Sequence, residues 1–245
     1  MRDYVITTDN NSDLPESYYT EHGVGCTYLS YTMDGQHYSH ENFLPVKEFY
    51  DRMRKGSMPT TAQVNPEDAR ALIEPYLKAE KDVLHIAFSS GLSGSYNSAR
   101  IAGEELQEEY PDRKIVVIDS LAASLGQGLL VYLAQKKKEE GKTMDEVAQW
   151  VMEHRLNMVH TFTVDDLNHL YRGGRVSKTT AVVGGVLNIK PVLHVDDEGK
   201  LIPVGKVRGR KKSLLALVDM MEEKLGNYKN SCDTIFISHG DCEQD

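Results

Sequence analysis

The chain has 245 residues, enough for one large α/β domain or two smaller lobes, with 40% hydrophobic and 27% charged residues. Its formal charge of −9 argues against a general nucleic-acid binder, which needs a basic surface. No apolar run reaches the length of a membrane span, MRDYVITTD lacks the apolar core of a secretory signal, and Cys26, Cys232 and Cys242 lack metal-type spacing, so a cytoplasmic protein with reduced thiols is expected.

VITTD is a β-branched run ending in turn residues and predicts a first strand, followed by the loop DNNSDLP. Pro15 suits the first turn of a helix over PESYYTEHG that Gly23 closes. CTYLSYTMDGQHYSH alternates around Asp34-Gly35, which predicts a hairpin, and LPVKEFYDRMRKG predicts an amphipathic helix ending on Gly56. MPTTAQVNP reads as a loop whose Asn65-Pro66-Glu67 opens the helix PEDARALIEPYLKAE. DVLHIAF and KIVVIDS are compact apolar strands of the kind buried on both faces of a parallel sheet, and each precedes a helical pattern, which is the signature of βαβ units.

From MVHTFTV onward the pattern changes: KPVLHVDDEGKLIPVGKV predicts an antiparallel or mixed sheet, with one helix around Lys178 to Leu187. The expected fold is therefore α/β with two lobes, a parallel-sheet βαβ lobe over 1–156 and a mixed-sheet α/β lobe over 157–245. DTIFISHGDCEQD reads as a good strand and a turn with nothing after it, so the natural chain is expected to continue past Asp245.

FSSGLSGSYNSAR crowds five serines after the apolar run VLHIAF, where a strand should hand over to a helix. These serines either cap and decorate the helix or face an anion, since such junctions expose amides at the carboxyl ends of the strands. Gly91 and Gly94 would let the backbone approach a ligand, whereas GLSGS departs from the hydrolase pattern G-x-S-x-G. Thr60-Thr61-Ala62-Gln63 is either a solvated turn or a set of neutral donors for a carboxylate. Arg172 and Arg175 flank Gly173-Gly174 in a segment that fails the phosphate-loop pattern; they are solvated cap residues or forked anion ligands. His239 is placed at the end of the last strand, a position from which it is expected to contact a ligand. No histidine or cysteine cluster points to a metal, and no cofactor is expected. KVRGRKK, with Arg208, Arg210 and Lys211, is a solvated helix entry or a docking patch for an acidic partner.

In this order, TTDNNSDLP, MPTTAQVNPEDA, IAFSSGLSGSYNSA, VIDSLAASLGQG, LYRGGRVS with NIKPVLHVDDEGKL, and ISHGD resemble the DegV family of bacterial lipid-binding proteins over essentially the whole chain. The resemblance implies a long-chain fatty acid held between two lobes, its tail in an apolar tunnel. The implied role is that of a carrier, not an enzyme, presenting the carboxylate to a separate fatty acid kinase that makes acyl phosphate for phospholipid synthesis. By position, Thr61 and Ser93 match the family's carboxylate-binding hydroxyls, with the Gly94 amide beside them and Arg172 or Arg175 and His239 completing the polar end. Two positions depart from the family: Asn10 follows Asp9 where serine is usual, and Ala62 replaces a serine. The competing expectation is a serine esterase using Ser93 with His239 as base, oriented by Asp241 or Asp9.

Overall fold

The computed structural model describes residues 2–165, 167–178 and 188–244. It comprises two units, the first running to Met158 and the second starting at Val159.

The first unit is organised by four parallel strands, β1 (Tyr4–Asp9), β2 (Gly25–Thr27), β6 (Asp82–Ala87) and β7 (Ile115–Asp119), in the order β2-β1-β6-β7. Every residue of β1 and β6 is buried, in register from Tyr4 opposite Asp82 to Thr8 opposite Ile86. An interior strand covered on both faces needs such a run, because alternate side chains point to opposite faces. KIVVIDS was expected to be equally buried, but β7 lies at the sheet edge and most of its residues are only partly covered.

The expected hairpin is shorter than its alternating sequence. Cys26 and Thr27 pair in parallel with β1, and only β3 (Tyr31–Met33) and β4 (Gln36–Tyr38) form the antiparallel ribbon. Asp34 and Gly35 both have positive φ, at 53° and 79°, as a two-residue turn matching the twist of the strands requires. A second correction concerns MPTTAQVNP. Thr60–Thr61 form a two-residue strand, β5, opposite Thr32 and Tyr31 of β3, so part of the expected loop is held by a ladder.

Helices α1 (Glu16–His22) and α2 (Val46–Arg54) lie close to the expected positions, α1 closed by Gly23 at φ 61°. Helix α3 (Pro66–Lys78) starts where Asn65-Pro66 places it: the Asn65 side chain accepts from the Asp68 amide at 2.8 Å, and Asp68 accepts in return from the Asn65 amide. Its Ala69, Ile73 and Leu77 recur every four residues and are buried. Helix α4 (Ser95–Glu109) follows β6 and buries Ala99, Ala102 and Leu106. Ile73, Leu77 and Leu106 pack with Val5 and Val83 as one cluster, each large side chain contributing roughly 1.5–3 kcal/mol of burial. Val64, Ala69, Ala99 and Ala102 form another, which fixes Val64, two residues before α3, in the core. Helices α5 (Ser124–Glu139) and α6 (Met144–His154) pack on each other and on β1, β6 and β7.

In the second unit, β8 (Thr161–Thr163), β9 (Ile189–Val195) and β10 (Leu201–Arg208) pair antiparallel in the order β10-β9-β8. Pro203 sits beside a register shift on the edge strand β10, where a missing N–H is tolerated. Among the described residues this unit also has the short helix α7 (Asn168–Arg172) and the long helix α8 (Arg210–Leu225), α8 against all three strands. The helix expected around 178–187 lies, beyond Lys178, outside the described residues. The strand expected over DTIFIS is not formed among them. Ile235 is 55% and Ile237 84% exposed, so the apolar alternation that suggests a strand is not buried against a neighbour here.

Candidate functional site

Strand β6 ends at Ala87, and the chain then turns through 88–94 before α4 begins. The turn is wound around Ser89, a fully buried residue whose carbonyl accepts from the Leu92 and Ser93 amides at 3.0 and 3.1 Å. Its own amide donates to Ala122 at 3.1 Å, and its hydroxyl accepts from Gly91 N at 3.1 Å. One serine of the cluster is therefore structural. Ser93 and Gly94 are left half-exposed at the head of α4, where the first amides of a helix and its dipole favour an anion.

The 60–65 segment is clamped onto this junction. Val64 N donates to Ser95 Oγ at 3.1 Å, and Gln63 Nε2 donates to Ser98 Oγ at 3.2 Å. The Gln63 amide lies so close over Gly94 that a Cβ there would stand 2.2 Å from Gln63 Oε1. A side chain at 94 would therefore displace the Gln63 amide, although the φ of −74° is ordinary for any residue. Ser93 Oγ accepts from Ser95 N at 3.2 Å and lies 2.9 Å from Ser95 Oγ. The structure thereby brings the Thr61 segment, Ser93 and Gly94 to one place in the first unit, with Thr61 exposed at the end of β5.

Beneath them lies a carboxylate that sequence reading treated as part of a turn. Asp9 is 1% exposed; its Oδ1 accepts from Asn11 N and Nδ2 and from Gln127 Nε2, and its Oδ2 accepts from Phe88 N at 2.8 Å. Burial pushes its carboxyl up, and the Phe88 amide, Asn11 and Gln127 pull the other way. Asp9 thus ties the end of β1 to the first residue of the serine turn. Gln127 is fully buried, and its Nε2 also donates to Thr8 Oγ1 at 3.0 Å. Nearby, Asp13 accepts from the Ser124 hydroxyl; burial pushes its carboxyl up too. Asp13, Leu121 and Ser124 all hold positive φ, at 52°, 51° and 51°, so backbone strain gathers at these strand ends. Composition could have flagged Asp9, since a carboxylate ending a buried strand must find partners; which partners it finds is a long-range matter.

His85, in the middle of β6, is 2% exposed, and its Nδ1 lies 3.0 Å from Thr7 Oγ1. Burial pushes it down to about 4. It is a neutral core histidine.

In the second unit, Arg172 ends α7 and is exposed, while Arg175 turns back to donate to the Gly173 carbonyl at 2.5 Å. His239 does not end a strand, as the sequence pattern had placed it, and its Nδ1 accepts from Cys242 N at 3.2 Å. That bond is the wrong one for a catalytic base, whose Nδ1 must donate to an orienting carboxylate. Asp9, with four donors on it, has no such role to give. Arg208 and Lys211 are exposed, but Arg210 is half-buried, with Nη2 3.5 Å from Cys242 Sγ and its charge helping to hold Asp165 low, after the larger effect of Lys190.

A parallel sheet whose strand-end turns offer neutral hydroxyls and helix-head amides places the chain among the open α/β proteins that take ligands at the carboxyl ends of their strands. Within that class the chain belongs to the DegV family. The model of that family, described as an uncharacterised protein family, matches residues 3–245. The chain is 45% identical to a DegV domain-containing protein, CPE0026, of Clostridium perfringens, over an alignment spanning 100% of this chain and 84% of the relative. Among solved structures it is similar to a stearic-acid-binding protein from Eubacterium ventriosum, with TM-score 0.84 and 27% identity over 93% of this chain and 78% of that one. It is also similar to a fatty-acid-binding DegV family protein from Thermus thermophilus, with TM-score 0.78 and 32% identity over 91% and 78%. No described helix is long and apolar enough to cross a membrane.

Proposed function

We propose that this protein binds a long-chain fatty acid, its tail in an apolar tunnel, and presents the carboxylate to a partner kinase that converts it to an acyl phosphate for phospholipid synthesis in the cytoplasm. The observation that carries the reading is the segment 63–64 clamped by Gln63 and Val64 onto the head of α4, beside Ser93 and Gly94; Thr61, two residues upstream, Ser93 and the Gly94 amide are the proposed contacts of the carboxylate. The solved relatives that bind fatty acids support it.

The chemistry fits a carrier. A carboxylate that must attack a phosphoryl group is best held by neutral hydroxyls and amides, because a tight guanidinium pair would stabilise the ground state and lower its nucleophilicity. Affinity then comes from the tail: ten buried methylenes give roughly 8 kcal/mol before association costs. Arg172 or Arg175, together with His239, is proposed to complete the polar end from the second unit. Arg208 and Lys211, with Arg210 beside them, are the proposed docking residues for the kinase, being a cationic run in a chain of charge −9.

Mass spectrometry of small molecules extracted from the purified protein tests the ligand, and a near-stoichiometric fatty acid is the expected result. Protein that is lipid-free and stays so after incubation with fatty acids would refute the reading. Acyl phosphate formation on adding a fatty acid kinase and ATP tests the second half.

A further inference from the structure

We infer that Ser95 is a positioning residue that fixes the direction of the hydrogen bond between the two serine hydroxyls, so that Ser93 has only its proton to offer a ligand head group. This rests on the fatty-acid reading and narrows the head group that the site accepts.

Ser95 is 2% exposed. Its Oγ accepts from Val64 N at 3.1 Å and lies 2.9 Å from Ser93 Oγ. A buried hydroxyl also needs an acceptor for its own proton, and Ser93 Oγ, 2.9 Å away, is placed to take it. The bond therefore runs from Ser95 to Ser93. The reverse direction would spend Ser93's proton inward and leave the Ser95 hydroxyl as a buried, unsatisfied donor.

Ser93 Oγ also accepts from Ser95 N at 3.2 Å. With one bond from the amide and one from the hydroxyl of the same residue, both of its lone pairs are taken. Ser93 is half-exposed, so its remaining capacity, one O–H, points away from Ser95 and toward whatever binds. Two consequences follow. Hydrogen bonds donated onto both of its lone pairs draw electron density from Ser93 Oγ and weaken it as a nucleophile, which counts against the esterase alternative. Ser93 is also an obligate donor, matched to a head group that only accepts, as a carboxylate does. A fatty alcohol brings a proton of its own that Ser93 cannot take, and its neutral oxygen accepts less strongly than a carboxylate.

The test compares hexadecanoic acid with hexadecan-1-ol, each displacing a fluorescent fatty acid from the full chain at pH 8. The wild type prefers the acid. In Ser95→Ala a lone pair of Ser93 is released and its proton is free to turn inward or outward, so the preference for acid over alcohol falls about tenfold. Ser95→Thr keeps the hydroxyl and retains the wild-type ratio. A merely structural role for Ser95 would weaken both ligands together and leave the ratio unmoved, which overturns the inference; so does a threonine variant as indiscriminate as the alanine one. A wild type that binds neither probe overturns the fatty-acid reading and this one with it, whereas a wild type that binds the acid with a ratio indifferent to Ser95→Ala overturns the direction of the relay alone.

Discussion

Gly94→Ala is the sharpest probe of how the site is built. The new Cβ would meet Gln63 Oε1 at 2.2 Å, Cδ at 2.7 Å and Nε2 at 2.8 Å, so the amide must leave. All three atoms belong to the end of a flexible side chain, and the backbone of residue 94 already holds a φ of −74° that alanine adopts freely. The cost is thus the loss of the bond from Gln63 Nε2 to Ser98 Oγ, with Ser98 only 4% exposed, or about 1 kcal/mol. Alanine also lowers the entropy of the unfolded chain, which returns about 0.4–1 kcal/mol once the obstruction is gone. Urea unfolding of a double-mutant cycle reads this directly. Gly94→Ala should destabilise the wild type by about 1 kcal/mol or less and be neutral or slightly stabilising in a Gln63→Ala background, while weakening fatty-acid binding in the wild-type background. An equal penalty in both backgrounds would show that Gln63 is not the obstacle, and the account of the clamp would be wrong.

Other outcomes follow from the same geometry. Because burial holds His85 near 4 in the folded protein against about 6.5 when unfolded, the unfolded chain binds more protons between those values; stability is full above pH 6.5 and falls by about 3 kcal/mol as pH drops to 4, a slope that His85→Gln should flatten in urea titrations at pH 7.5 and 4.5. Thr61→Ala and Ser93→Ala should each weaken fatty-acid binding by about 1 kcal/mol with the melting temperature preserved; unchanged affinity and kinase-dependent turnover in the double variant would remove both from the site. Reversing Arg208 and Lys211 to glutamate should slow acyl phosphate formation in a salt-dependent way with lipid retention normal, and loss of lipid instead would assign the patch to the ligand; Arg210 is left in place because its half-buried side chain would become a desolvated carboxylate.

What the sequence made legible was what local chemistry decides. Asn65-Pro66 announces the start of α3 because an acceptor side chain and a missing N–H are both wanted there, and Asp34-Gly35 announces its turn because two positive φ angles are. The position of the serine cluster at a strand-to-helix junction follows from an apolar run meeting poor helix formers. What stayed hidden depends on partners distant in the chain. Thr60–Thr61 become a strand only because β3 is alongside, and DTIFIS fails to become one among the described residues because no ladder is offered to it. The five serines look alike in sequence, yet Ser89 winds the turn, Ser98 receives Gln63, and Ser95 bridges Val64 to Ser93.

The bond from Phe88 N to Asp9 spans 79 residues, and Gln127 reaches Asp9 across 118. The contacts under the serine turn are therefore complete only once the chain has been made past Gln127. A ribosome that has released the first hundred residues has produced every hydroxyl of the proposed head-group site in the first unit, but not the glutamine that seats Asp9 beneath the turn. Parallel pairings at such separation form late, after the costly closure of long loops. A nascent chain halted short of Gln127 would then lack one support of the serine turn and would be expected to bind fatty acid more weakly than the finished chain.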